Sequence, residues 1–412
     1  MISLGILRWP MPRFLIWAFL LGVPLIDFVN GYALSVFGTS LFATIYKALI
    51  VPLVIFLFLM RKISKSDLLA PVSIFAGVIL LISVPTLLGE SRSNLVDVTV
   101  LLRGPITFGL VFLMMRFLRE SEVDFCVISY FKFTWWIVSL SIVLLYLAGM
   151  SLSTYDGTMS AGSKGAYAAA NELTIVYMLS WWFIVFRGGV SKKSIASYSA
   201  ATLWMLFFIG TKSGFVVFGV IALWRILMSF KIKSVGALAI FTGIAGLVAA
   251  NAGSLFLLIA PFLKGWERLL FFIERYDAVT VMTGGRFLDI PAAMSLFYRF
   301  SLYELVFGVG FEKFWIAVSQ GSIESDLFDL FGGGGLIAIS LFYGSIIYYL
   351  ILCLKYRRLE EWVGVLLSVI LYSIFVGHIA FAATPIISLA LILSVISSSV
   401  KNENRRNSIV VQ

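Results

Sequence analysis

Residues 326–353 read DLFDLFGGGGLIAISLFYGSIIYYLILC, and from Leu330 to Cys353 no side chain carries a charge. A helix needs roughly 20 mostly apolar residues to cross the hydrocarbon core of a bilayer, so this stretch reads as a transmembrane span. The same pattern recurs at 14–29, 41–60, 68–88, 97–117, 124–148, 168–186, 195–210, 213–229, 235–260, 362–380 and 382–399, about twelve spans in all. Composition agrees. The chain is 61% hydrophobic and 13% charged, where soluble domains carry about 45–50% apolar and 25% charged residues. Aromatic residues make up 16% of the 412 positions, as suits many interfaces to anchor. Arg8 and Arg13 precede the first apolar run, but no small-residue cleavage site follows, so a cleaved signal is not expected.

Lys and Arg set the orientation, because cytoplasmic segments hold them in excess. With the N-terminus inside, 19 of the 31 cations fall on inner segments, and Lys47 and Lys132 lie within spans. Of the ten outside, six belong to one long loop, where the charge rule weakens. The expected topology is N-in and C-in. The net charge of +10 then belongs to the cytoplasmic membrane surface, and nucleic acid is excluded as a partner.

That long loop divides the chain into residues 1–260 with nine spans, 261–325 outside the membrane, and 326–412 with three spans and a tail. The loop alternates apolar and charged residues: WERLLFFIERYDAV, GGRFLDIPAAMSLFYRF, YELVFGVGFEKFWIAV. Its middle stretch sets Phe287, Ile290, Met294 and Phe297 on one helical face, with Arg286, Asp289 and Arg299 elsewhere. Short helices on or in the outer membrane surface are predicted. No repeat of 20–50 residues and no inverted repeat of broken helices is visible.

Ionisable groups inside or at the edge of a membrane are costly and therefore candidates for function. Thr211-Lys212-Ser213-Gly214 joins two spans with almost no loop. Lys212 and Ser213 there suit an anionic headgroup or diphosphate at a helix start; the plainer reading is a tight hairpin whose Lys reaches to water. Arg286, after two glycines, offers a planar fork for phosphate oxygens, and Arg299 joins it as a substrate-binding candidate. Glu324, Asp326 and Asp329 crowd the mouth of the 326–353 span. Glu324 or Asp326 could act as a general base, with Asp329 binding sugar; N-terminal capping is the alternative. Gly332 to Gly335 imply close approach of another helix or a ligand. Arg103 stands beside Gly104-Pro105, with Asp97, Glu90 or a phosphate as partner, and Pro105 should kink that span. Glu172 follows the Gly- and Ala-rich segment SAGSKGAYAAANE, where it either meets a ligand or complements the helix dipole.

The single His378, near the end of the 362–380 span, reads as packed and hydrogen-bonded. Cys126 and Cys353 sit at cytoplasmic span ends, so no disulfide is expected. With no Cys/His cluster a metal site is not expected. Neither a GxxxxGK[ST] loop nor a strand-borne GxGxxG is present, so no nucleotide cofactor is expected.

The order TKSG at 211–214, GGRFLDI at 284–290 and LVFGVGF at 305–311, mainly within residues 205–340, resembles the O-antigen ligase and Wzy O-antigen polymerase superfamily. The resemblance implies a GT-C-like helical enzyme of the Gram-negative inner membrane, its active face periplasmic, acting on undecaprenyl-diphosphate-linked glycans. It further implies a functional role for Arg286, which opens the loop helix, and for the hairpin motif, with Lys212 where Arg is common. The ligases carry a His-Asn-type signature before the following span. This chain has Glu324, Ser325, Asp326 and Asp329 there, which looks more like the polymerases. Expected partners are the lipid-linked donor and acceptor, membrane lipids and a chain-length regulator. Neither ATP nor a nucleotide sugar is needed, because the donor diphosphate stores the energy. Two alternatives remain: a ligase moving glycan to lipid A–core, and a flippase or transporter.

Overall fold

The computed structural model describes residues 11–38, 41–60, 65–87, 95–155, 161–229, 236, 289–318, 323–356 and 359–410. Its elements are α1 (Met11–Phe37), α2 (Leu41–Ala48), α3 (Ile50–Met60), α4 (Lys65–Leu87), α5 (Leu95–Leu101), α6 (Thr107–Met115) and α7 (Glu120–Leu147). A small hairpin follows, β1 (Ser153–Tyr155) antiparallel to β2 (Ala161–Ser163). Then come α8 (Ala170–Trp182), α9 (Lys192–Ile209) and α10 (Lys212–Ser229). The later described helices are α11 (Ile290–Phe297), α12 (Leu302–Phe307), α13 (Phe311–Val318), α14 (Asp326–Lys355), α15 (Glu361–Phe375) and α16 (Ala383–Val410).

Hydrocarbon offers no partner for a backbone amide, so a chain this apolar must satisfy its polar groups internally, and helices do so within one segment. Among the described residues six helices are long and apolar enough to cross a membrane: Met11–Phe37, Phe42–Met60, Val96–Met115, Glu120–Leu147, Asp326–Lys355 and Ala383–Glu403. Each falls on a predicted span. Pro71–Leu87, Ser213–Met228 and Glu361–Phe375 are shorter apolar helices on three more. The 235–260 stretch lies outside the described residues except for position 236. This is the architecture of an all-α membrane protein.

The core sits around α16. From Ile386 to Ile396 every residue is buried, as expected of a helix apolar on all sides. It packs against α6, α7, α8 and α14. Rings fill the space between α7, α8 and α15: Phe131 stacks on Phe183 at 4.1 Å between centroids, and Trp182 lies 4.6 Å from Trp362. Leu59, Leu87 and Leu147 are more than three-quarters exposed, which in water would be an aggregation liability and in lipid is solvation.

Three departures from straight helices concern the site. Between α5 and α6 the chain makes a wide π turn over Leu102–Ile106, because Pro105 has no N–H to donate. Thr107 Oγ1 donates to the Leu102 carbonyl at 2.7 Å, satisfying a group the bulge frees. The second departure is in α14, where Gly335 adopts φ 62° and kinks the helix. The third is the end of α15 at Phe375: residues 376–380, predicted as the close of the 362–380 span, belong to a non-helical link over 376–382 to α16.

Candidate functional site

Two contacts fasten α2 to α1. Tyr46 Oη donates to the Phe19 carbonyl at 2.8 Å, its ring lying where a side chain at Gly22 would be. Ala43 N–H donates to Asn30 Oδ1 at 3.0 Å. This clamp brings Lys47 to Asp27, with Nζ 2.6 Å from Oδ1. Thr384, at the start of α16, completes a triad: its hydroxyl donates to Asp27, and Lys47 Nζ donates to it at 3.1 Å. An ion pair inside a bundle persists only where both members are hydrogen-bonded.

The triad forms one wall of a cavity of about 470 Å³. The others come from Arg103 on the π turn, Glu172 at the start of α8, Tyr167 and Phe381. Two predicted residues, Arg103 and Glu172, thus share one space. Glu172 lies within electrostatic reach of His378, Lys47, Asp27 and Arg103. Tyr167 to Ala169, from the Gly- and Ala-rich segment, line the same space. The segment is held close because Gly31 leaves room for the Ala166 carbonyl against α1.

Asp27 and Lys47 were not among the predicted site residues. The signal was present, since Lys47 lies inside a predicted span and such a cation needs a partner. Sequence spacing names no partner 20 residues away on another helix. The other in-span cation, Lys132, donates to the Gly188 carbonyl at 3.3 Å.

The acid cluster proves largely structural in its partners. Asp326 is buried and accepts from Ile379 N–H at 2.9 Å and Ala380 N–H at 3.2 Å, while its other oxygen is buried without a hydrogen bond among the described residues. Asp329, also buried, accepts from Trp315 Nε1 at 2.8 Å and Ile323 N–H at 3.1 Å. Ser325 donates to the Ile374 carbonyl at 2.6 Å. Neither acid caps its own helix; each fastens a neighbouring segment to the start of α14. The four glycines receive protein rather than ligand. Val309 and Gly310 N–H donate to the carbonyls of Gly332 and Gly333 at 2.8 and 3.0 Å, and side chains at 332 and 333 would overlap Phe314 and Phe311. Asp97 Oδ1 accepts from Phe311 N–H at 2.7 Å and Glu312 N–H at 3.2 Å, capping α13.

Glu324 is different. It is the most accessible acid of the group, half-buried with its side chain 44% accessible, and it faces His378 Nε2 at 3.7 Å. Both residues hold positive φ, 62° and 68°, a conformation non-glycine residues adopt at a cost of about 1–3 kcal/mol. Between them Gly377, at φ 70°, sits on the Glu324 carbonyl where a side chain would collide. The link 376–382 continues past Ala380, whose carbonyl fits against Gly104, into the cavity wall at Phe381 to Thr384.

The hairpin motif lies at the same end of the bundle. Thr211 and Thr174 hydroxyls are 2.7 Å apart, and Tyr372 Oη bridges Ser213 Oγ, 3.5 Å away, to the Asn171 carbonyl at 2.6 Å. Ser213 is therefore one residue contact from the turn that carries Glu172. Lys212 begins α10, with its side chain outside the described residues. Arg286 also lies outside them. Arg299, between α11 and α12, is exposed and does not line the cavity. Among the described residues no three His, Cys, Asp or Glu are grouped to hold a metal ion.

The site therefore gathers two cations and two carboxylates around a cleft of ligand size, beside a strained Glu–His contact. No family model matches the chain, and no curated protein matches it.

Proposed function

We propose that this chain is a multi-pass membrane glycosyltransferase of the Gram-negative inner membrane. In this reading it has twelve spans, both termini cytoplasmic, and a periplasmic loop over 261–325. It joins undecaprenyl-diphosphate-linked repeat units at the periplasmic face, as the O-antigen polymerases that its motifs resemble do. The observation that carries the proposal is the cavity of about 470 Å³ with Arg103, Lys47 and Glu172 in its walls.

The chemistry asked of such a site is modest. The acceptor sugar hydroxyl bonds to the anomeric carbon of the donor. The bond from that carbon to the diphosphate oxygen breaks, its electron pair leaving with the diphosphate. The hydroxyl proton passes to a carboxylate. Preorganised cations in a dry cleft stabilise the charge that grows on the diphosphate, a role suited to Arg103 and Lys47, joined by Lys212 and Arg286. Glu324 is the better proton acceptor, being accessible, whereas the Asp326 carboxylate is engaged by two backbone amides. Neither a cofactor nor ATP enters the scheme.

Separate Arg103→Ala, Glu324→Gln and Arg286→Ala variants, compared by surface glycan length on gels, test the proposal. Loss of the long ladder at normal protein level is expected, leaving one repeat unit on each core. Unchanged ladders in all three would overturn it. Long glycan accumulating on the lipid diphosphate would identify a ligase that serves lipid A–core. A flippase or transporter is favoured by one observation, the Asp27–Lys47 pair within two candidate membrane-crossing stretches, Met11–Phe37 and Phe42–Met60; unpolymerised donor retained on the cytoplasmic side would indicate it.

A further inference from the structure

His378 is the only histidine in the chain. The segment that carries it and the last turn of α15 before it are held to the start of α14 by three bonds: Ser325 Oγ to the Ile374 carbonyl, and Ile379 and Ala380 N–H to Asp326. Gly377 fills the remaining gap against the Glu324 carbonyl. These anchors leave neither Glu324 nor His378 a relaxed backbone, since both sit at positive φ. Strain of this kind persists where the surroundings over-determine it, and it clusters at sites that need fixed geometry. Its product here is one contact, Nε2 of His378 to Oε2 of Glu324 at 3.7 Å.

We propose that His378 is a positioning residue: its imidazolium holds the Glu324 carboxylate in place beside the charged cavity. This rests on the reading of Glu324 as proton acceptor. The groups facing His378 are Glu324 before α14, Asp326 on α14 and Glu172 on α8, and Glu172 in turn faces Lys47, Arg103 and Asp27. Burial works against a charge on the imidazole. The close contact with Glu324 and the negative charges of Glu172 and Asp326 outweigh it and raise its pKa above the ordinary imidazole value. A charged His378 therefore persists to higher pH than a solvated one, and its hold on Glu324 ends when that proton leaves.

With one histidine, selective nitrogen-15 labelling of the full chain, purified on a histidine-free tag in lipid nanodiscs, gives a single imidazole to titrate by NMR. In Glu324→Gln the midpoint should fall by about one unit or more, while Glu304→Gln, in the capping box of α12 and not among the groups facing His378, should leave it unmoved. An unmoved midpoint in Glu324→Gln overturns the inference and leaves the glycosyltransferase reading standing. In cells, His378→Gln should cut glycan polymerisation roughly tenfold or more and abolish its decline on the alkaline side. His378→Lys, which keeps the charge, should retain activity at the higher pH. If the midpoint moves but Glu324→Gln polymerises normally, the function proposed for Glu324 fails, and the positioning role with it. Equal loss in the Gln and Lys variants at every pH would mark a purely structural contact and overturn the proposal.

Discussion

At the scale of the residue, the contrast between Glu324 and Asp326 shows how position within two residues separates roles. Asp326 gives its carboxylate to two buried N–H groups of the 376–382 link. Removing it in Asp326→Ala leaves both unsatisfied at about 1–3 kcal/mol each, so thermal unfolding in detergent should move down by several degrees and protein level should drop. Asp326→Asn, which keeps an acceptor oxygen, should lose much less. Glu324, accessible and paired with His378, should tolerate Gln with little change in melting yet lose function. The His378 pKa is raised in the folded chain. The stability its charge contributes is therefore complete below the ordinary imidazole pKa of about 6.5 and is lost as pH rises through the folded value. Melting temperature followed across that window should fall toward alkaline pH in the parent chain and stay flatter in His378→Gln.

At the scale of the element, the run Gly332–Gly335 shows why a glycine cluster is ambiguous in sequence. It predicts close approach, and the approaching body is the Gly308–Phe311 stretch of the chain itself, seated by two backbone hydrogen bonds. Gly335 has φ 62° and lies against the Val306 carbonyl. Gly335→Ala combines an alanine forced into a backbone region that essentially only glycine occupies (φ 62°, ψ −158°), about 1–3 kcal/mol, with overpacking of about 1–3 kcal/mol. Poor membrane accumulation is the expected outcome. At Gly344 on the same helix a Cβ meets nothing, and Gly344→Ala should be neutral or stabilising by up to about 1 kcal/mol. Opposite signs at two glycines of one helix, measured by thermal unfolding, would separate docking from mere helix propensity.

At the scale of the whole molecule, the cavity exists because α1, α2, the π turn of residues 102–106, α8 and the start of α16 converge. The Asp27–Lys47–Thr384 triad ties three of these together. Lys47→Met alone should destabilise by less than the roughly 3–5 kcal/mol of a fully buried pair, since both groups border the cavity. Asp27→Asn with Lys47→Met should recover part of that loss, and the shortfall in function would then report on binding rather than folding. The proposed topology also has a direct check. Alkaline phosphatase fused within 156–160 should be active and a fluorescent protein fused after Gln412 should glow; the reverse pattern would invert the orientation.

Helices in a membrane were legible from composition and from runs such as Leu330–Cys353, because hydrocarbon penalises every unpaired amide and charge one residue at a time, wherever its neighbours lie. The same local rule marked Arg103, Glu172, Asp326 and Asp329 as unusual. It could not say which of them share a cavity and which fasten a turn, nor that Lys47 answers Asp27 across two helices. Those distinctions depend on pair distances between elements far apart in the chain. Only packing sets them: Gly22 admitting Tyr46, Gly31 admitting Ala166 and Gly377 resting on Glu324 decide which charges meet.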